Sequence, residues 1–235
     1  YINQIAFSGA QDFLEKYKDK ADEGSQIIGH FGLGFYSAFM VADRVQIDTL
    51  SYRKDAEPVR WISSGGTEYE MSDSDRKERG TTVTLFMAED SLEFLDEYKM
   101  REILLKYCSF MPFEIYLEDA AKKDDSKKEE PKPLNDTHPL WLKNPKDCTE
   151  EEYKSFYKKV FRDYNDPLFW IHLNMDYPFN LKGILYFPKL KHEFETIEGQ
   201  IKLFYNQVFV ADNIKEIIPE FLLLLKGVLD CPDLP

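Results

Sequence analysis

Two periods of apolar and polar residues alternate along this chain and predict a mixed α/β series. Val45, Ile47 and Thr49 alternate with Gln46, Asp48 and Leu50, the two-residue period of a strand. Residues 59–62 and 68–71 flank Ser63, Ser64, Gly65 and Gly66, which predicts a hairpin. Val83, Leu85 and Met87 alternate with Thr82, Thr84 and Phe86 in another strand. Helical spacing predicts helices over residues 1–6 and 11–17, separated by Ser8-Gly9, and over residues 34–41, opening directly on glycine. Asp90 and Glu93 read as a capping-box start for a helix whose apolar face is Leu92, Leu95, Ile103, Leu104 and Tyr107. Thr149 and Glu152 make a second capping box. Tyr153, Phe156, Tyr157, Val160 and Phe161 follow at i, i+3, i+4, i+7 and i+8, an amphipathic helix. Strands are predicted at 168–175, 182–187 and 201–210, and a last helix over 216–226 with Gly227 as its C-cap.

Composition narrows the functional classes. The 235 residues are 43% hydrophobic and include 18 Phe, 14 Tyr and 3 Trp, enough to build a packed core and exclude disorder throughout. Acidic residues outnumber basic ones 43 to 30, for a net charge of −13. A surface this acidic repels phosphate backbones, so nucleic acid is not an expected partner. No apolar run is long enough to span a bilayer; the longest, residues 221–225, ends at Lys226. Cys108, Cys148 and Cys231 are odd in number and lack metal-ligand spacing, which points to a reducing compartment and a cytoplasmic location.

Glycine, proline and charge suggest the organisation. Five of the 11 glycines fall in the first 34 residues, and no proline precedes Pro58. Ten of the 13 residues from Glu118 to Glu130 are charged, with both signs mixed. Such a run buries too little apolar surface to offset its ordering entropy and reads as a solvated linker. The expected domains are 1–118 and 136–235, joined by a linker over 119–135. Tyr1 is not Met, Ile2 and Ile5 read as part of a helix already under way, and residues 231–235 stop without an evident ending, so the chain reads as an excerpt of a longer protein.

The strongest chemical signal is Gly29, His30, Phe31, Gly32, Leu33, Gly34 and Phe35 at a helix start. Unpaired amides at a helix N-terminus, with the dipole behind them, attract anions, and glycines let phosphate approach the backbone. The spacing is neither the Rossmann fingerprint nor a P-loop, and a glycine-rich turn before a buried helix would look the same. His30 has no nucleophile in a recognisable arrangement beside it, and His138, His172 and His192 are too scattered for a zinc site. Asp12, Glu15, Asp19, Asp22 and Glu23 read as a solvated acidic stretch. Arg79, Gly80 and Thr81 open a strand that could offer a hydroxyl to a ligand or simply turn the chain. Trp170, Phe169, Phe179, Tyr186 and Phe187 read as mostly core, while Phe194, within a charged segment, is the better candidate for an exposed apolar contact.

Taken in order, Ser8-Gly9, the block from Ile28 to Ser37, Arg79-Gly80-Thr81, residues 140–145, 151–157 and 166–168 form a recognisable series. Residues 184–188, 208–212 and 227–230 complete it. The whole chain resembles the ninety-kilodalton heat-shock chaperones, most closely their bacterial cytosolic branch. The resemblance implies an α/β (α+β) fold. Residues 1–118 would be the C-terminal half of an ATP-binding α/β sandwich shared with gyrase and histidine kinases, followed by an α/β middle domain. It implies ATP and Mg2+ as cofactors, unfolded or partly folded proteins as clients, and a homodimer in the parent protein. Residues 8–28 would be a lid over ATP, Gly29 to Phe35 the γ-phosphate contact, and Thr81 a contact to adenine through its hydroxyl and water.

The resemblance also implies what the chain lacks. The family's general-base Glu, magnesium-binding Asn and adenine-reading Asp lie upstream of Tyr1, and its γ-phosphate Arg lies beyond Pro235. Phe7 stands where a Lys is common. No catalytic residue and no metal ligand is expected here, so the parent is an ATPase and these 235 residues alone are inactive. Two other readings stand beside the chaperone: another ATPase or kinase on the same nucleotide fold, and a non-catalytic protein-binding module.

Overall fold

The computed structural model describes residues 2–3, 32–121, 131–178, 180–189, 200–212 and 224–233, which form mixed helices and sheets. The chain divides into two compact units, Tyr1–Met100 and Arg101–Pro235.

The first unit is built on a four-stranded antiparallel sheet. Its strands are β1 (Ala42–Leu50), β2 (Val59–Ser63), β3 (Glu70–Asp73) and β4 (Gly80–Met87), in the order β3-β2-β1-β4. Val45, Ile47 and Trp61 are buried on one face of it. The 3-10 helix Gly34–Met40 covers that face with Phe35, Ala38 and Phe39, which its tight winding brings to one side. The predicted hairpin is present, with Ile62 opposite Glu70 and Trp61 opposite Met71. The Asp90–Glu93 capping box does not form. Ala88 occupies the N-cap of a 3-10 helix over Glu89–Leu95 and has no side-chain oxygen to offer, while Asp90 accepts from the neighbouring Ser91 hydroxyl. Leu92 and Leu95 are exposed, and helix α1 (Glu97–Tyr107) buries none of its residues.

The second unit carries a five-stranded sheet: β5 (Phe169–Met175), β6 (Leu181–Phe187), β7 (Gln200–Tyr205), β8 (Val208–Asp212) and β9 (Lys226–Asp230). The order is β5-β6-β9-β7-β8, with β7 and β9 parallel. Helix α2 (Glu150–Phe161) begins at the predicted capping box: Thr149 Oγ1 accepts from the Glu152 amide, and Glu152 Oε2 accepts from the Thr149 amide. Its apolar stripe lies on the sheet. Tyr153 stacks on Trp170 at 4.9 Å and Tyr157 meets Tyr186 at 5.0 Å between ring centroids. Beside it Phe110, Trp141 and Phe204 form a second aromatic group with centroids 4.7 to 5.6 Å apart.

Two expected elements differ here. The single strand read over 201–210 is two strands joined at Asn206-Gln207, whose φ angles of 48° and 66° make the tight hairpin turn that suits right-twisted strands. Gly227 caps no helix; it sits inside β9, where a Cβ would fall 2.7 Å from Leu185 Cδ2 and 3.0 Å from the Ile184 carbonyl. Glycine is there so that strands can approach, which periodicity does not reveal. Residues 216–223 of the expected helix, and the expected helices before Gly32, lie outside the described residues. Phe169 is half-exposed and stacks on Phe187, whereas Tyr186 is fully buried, so the aromatic set is only partly core. Phe179 lies outside the described residues.

The unit division falls before the expected 119–135 linker, and the hydrogen bonds around the charged run show why. The Leu134 amide donates to the Ile115 carbonyl, and the Asp136 amide to the Ser109 carbonyl. Asn135 Nδ2 donates to the carbonyls of Met111 and Phe113, and its Oδ1 accepts from the Ile115 amide, all at 2.7 to 2.8 Å. Both flanks of the charged run therefore belong to the second unit, anchored by Phe110 in its core.

Trp141 is 1% exposed and fills the centre of this aromatic group. Truncation there leaves a large void beside a buried carboxylate. Trp141→Ala is expected to cost the second unit about 3–5 kcal/mol, read by urea unfolding; a loss below about 1 kcal/mol would contradict the packing described.

Candidate functional site

The glycine-rich candidate lies in the first unit. Gly29, His30 and Phe31 are outside the described residues; Gly32, Leu33, Gly34 and Phe35 are within them. Gly32 has φ +66°, in the left-handed region that glycine enters without steric cost. The chain then turns into the Gly34–Met40 helix with Leu33 at its N-cap, and no side chain caps it. The Tyr36 amide donates to the Leu33 carbonyl at 3.1 Å, so the Gly34 and Phe35 amides precede the helix's own ladder. A Cβ at Gly34 would meet nothing within 4 Å, so the backbone there is open to approach.

Packing fixes where this helix start sits on the sheet. The Phe35 ring meets Trp61 edge-on at 5.8 Å, and Trp61 lies opposite Ile47. Trp61 in turn donates from Nε1 to Asn3 Oδ1 at 2.8 Å, and Tyr36 donates from its hydroxyl to the Ile2 carbonyl at 2.7 Å. Alternate strand residues share a face, so Thr49 follows Ile47 on the helix-bearing face, about 7 Å further along. Thr81 is its partner on β4, and the two hydroxyl oxygens are 2.8 Å apart. The sheet thus brings Phe35 and Thr81 to one face. Around Thr81 an open depression is lined by Thr49, Leu50, Ser51, Tyr52, Arg79 and Gly80. Thr49 was not singled out in the sequence; its register opposite Thr81 was the missing information, although its place in the 45–50 alternation put it on the Ile47 face.

Charge beneath the site is held on the other face. Asp48 Oδ1 accepts from Ser74 Oγ at 2.6 Å and from Arg60 Nε at 2.8 Å, and its Oδ2 accepts from Gln46 Nε2 at 2.7 Å. These hydrogen bonds, the Ser74 one foremost, hold its carboxyl down at about 2. Among the described residues no group of three or more His, Cys, Asp or Glu is placed to hold a metal. His138 pairs with Thr137, and His172 lies between the Tyr153 hydroxyl and the Trp141 carbonyl, so both serve the fold. His192 and Phe194 lie outside the described residues.

The sequence model of the family described as Hsp90 protein matches residues 118–235. The chain belongs to the Hsp90 family. It is 51% identical across its whole length to the chaperone protein HtpG of Bacteroides thetaiotaomicron and 49% identical to that of Porphyromonas gingivalis. A more distant relative, HtpG of Desulfitobacterium hafniense, is 36% identical, again over the whole chain. The chain spans about a third of these relatives: 34% of the first two and 37% of the third. The mixed helices and sheets described above are therefore those of an Hsp90-family segment.

The Asp48 cluster gives a pH signature. Above the unfolded carboxylate value of 3.8 both states are ionised and the stabilisation is complete; it fades as pH falls from about 4 through about 2, where the folded state also takes up the proton. Acid unfolding of the first unit over that window is expected to lose about 2 kcal/mol in the wild type and much less in Asp48→Asn. Equal acid sensitivity in both proteins would contradict this assignment.

Proposed function

We propose that this chain is the nucleotide-gripping and client-facing segment of an ATP-dependent molecular chaperone. The observation that carries the reading is the 51% identity to HtpG, a protein named as a chaperone, sustained over the entire chain. Local chemistry supports it: glycine backbone open at the start of the Gly34–Met40 helix, and the Thr49–Thr81 hydroxyl pair on the same sheet face. In this reading the backbone from Gly29 to Phe35 takes the phosphates of ATP, and Thr81 takes the adenine side. Mg2+, when bound with ATP, would offset the charge of the phosphates; the described residues contain no group of three or more His, Cys, Asp or Glu placed to hold it. Closure of residues 8–28 over ATP then drives the parent ATPase, a cytoplasmic homodimer that binds unfolded proteins. Among the described residues no helix is long and apolar enough to cross a membrane. The acidic net charge of −13 disfavours a nucleic-acid-directed relative on the same nucleotide fold.

The test exploits Gly34. Because its Cβ direction is empty, Gly34→Ala leaves the fold intact, but a phosphate packed on that backbone would meet the added methyl. Calorimetric titration of the chain with Mg-ATP is expected to show saturable binding without turnover. Gly34→Ala is expected to weaken it about ten-fold at unchanged melting temperature. Absence of binding, or identical binding by the variant, would overturn the assignment.

A further inference from the structure

The second unit holds a cavity of about 500 Å3 that the nucleotide reading does not use. Its walls are α1, the end of α2, β7 and the chain around Phe110 and Leu134. Four cations line it, Lys106, Lys159, Arg162 and Lys202, against two carboxylates, Glu102 and Asp136. Lys159 Nζ binds Asp136 Oδ2 at 3.0 Å, which cancels one pair. Among the described residues, Lys106, Arg162 and Lys202 have no carboxylate within ion-pair distance.

Lys202 is the most costly of the three. Its ammonium is partly buried and donates to the Val160 carbonyl at 3.5 Å. Burial pushes it below the ordinary lysine range; Arg162 and Lys106 push the same way, and Asp212 opposes them. The carbonyl end of α2 offers only about half a negative charge, too little to neutralise the excess. In a chain of net charge −13, a concave site whose lining side chains carry four cations against two carboxylates is an anomaly that an anion would relieve, even with Asp212 opposite Lys202 on β8. A phosphate monoester carries about 1.5 to 2 negative charges near neutrality and offers oxygens to the lining cations that have no carboxylate in ion-pair distance. Arg162, at the C-cap of α2 with φ 51°, supplies a planar fork suited to phosphate oxygens in this lining.

We propose that this cavity is a phosphate-binding site, with Lys202 and Arg162 as the principal contacts and Phe110 and Phe204 as an apolar wall for the ester carbon. The proposal is independent of the nucleotide site in the first unit. The test follows amide resonances of residues 160–162 and 200–204 in the whole chain. Inorganic phosphate and glycerol phosphate are titrated separately, with chloride at matched ionic strength as the control. Saturable shifts with phosphate, absent with chloride, are expected. Lys202→Met keeps the apolar stem and should weaken binding about ten-fold or more. Arg162→Asn suits the left-handed backbone and should do the same. Tighter binding of glycerol phosphate would assign the site to esters, equal binding to free phosphate. No saturable shift, shifts equalled by chloride, or binding untouched by both variants would overturn the proposal.

Discussion

One buried carboxylate organises the second unit. Asp230 ends β9, the central strand, and is 5% exposed. Its Oδ2 accepts from Trp141 Nε1 at 3.1 Å and from the Gln207 amide at 3.0 Å. Burial pushes its carboxyl above the ordinary range, and the donors from Trp141, Gln207 and Asn206 pull against that shift. Oδ1 is buried without a hydrogen-bond partner, so the donors to Oδ2 are what offset the burial of this carboxyl, and the Trp141 turn and the β7–β8 hairpin must both be in place to supply them. Around that point Phe110, Phe156 and Phe204 close on Trp141, and α2 lays its stripe over the remaining sheet face.

The first unit rests on a different constraint. Its face is covered by a short 3-10 helix, and Trp61 is the surface on which that helix seats. Seating Phe35 on Trp61 is what brings the open Gly34 backbone to the face shared by Thr49 and Thr81. None of this helix's own residues is buried, so few apolar contacts hold it and it opens at lower cost than the sheet beneath.

Much of this was legible in the sequence, because its periods are local. The capping box at Thr149 and the stripe from Tyr153 to Phe161 need only neighbours three and four residues away, and both are present. The strand at 45–50 and the hairpin after it were readable for the same reason. What escaped depends on distant partners. Gly227 reads as a C-cap beside an apolar run, yet strand packing against Leu185 decides its role. Asn206-Gln207 lacks the glycine that usually marks a two-residue turn, so the hairpin was hidden inside one apolar stretch. The charged run looked like a boundary by composition, while Asn135 ties its flanks together by hydrogen bonds that no local pattern announces. Of the candidate site, the glycines and Thr81 are visible as sequence motifs, whereas the Thr49–Thr81 pairing requires the register.

The dependence of the second unit on Asp230 is tested most directly by hydrogen exchange of the Trp141 indole N–H and the Gln207 amide. If both are locked on a buried carboxylate, they exchange only when the unit unfolds globally, at the same rate as the slowest amides of β6 and β9. Exchange of either one at the rate of an exposed turn, while those strands stay protected, would show that the carboxylate does not hold the unit together.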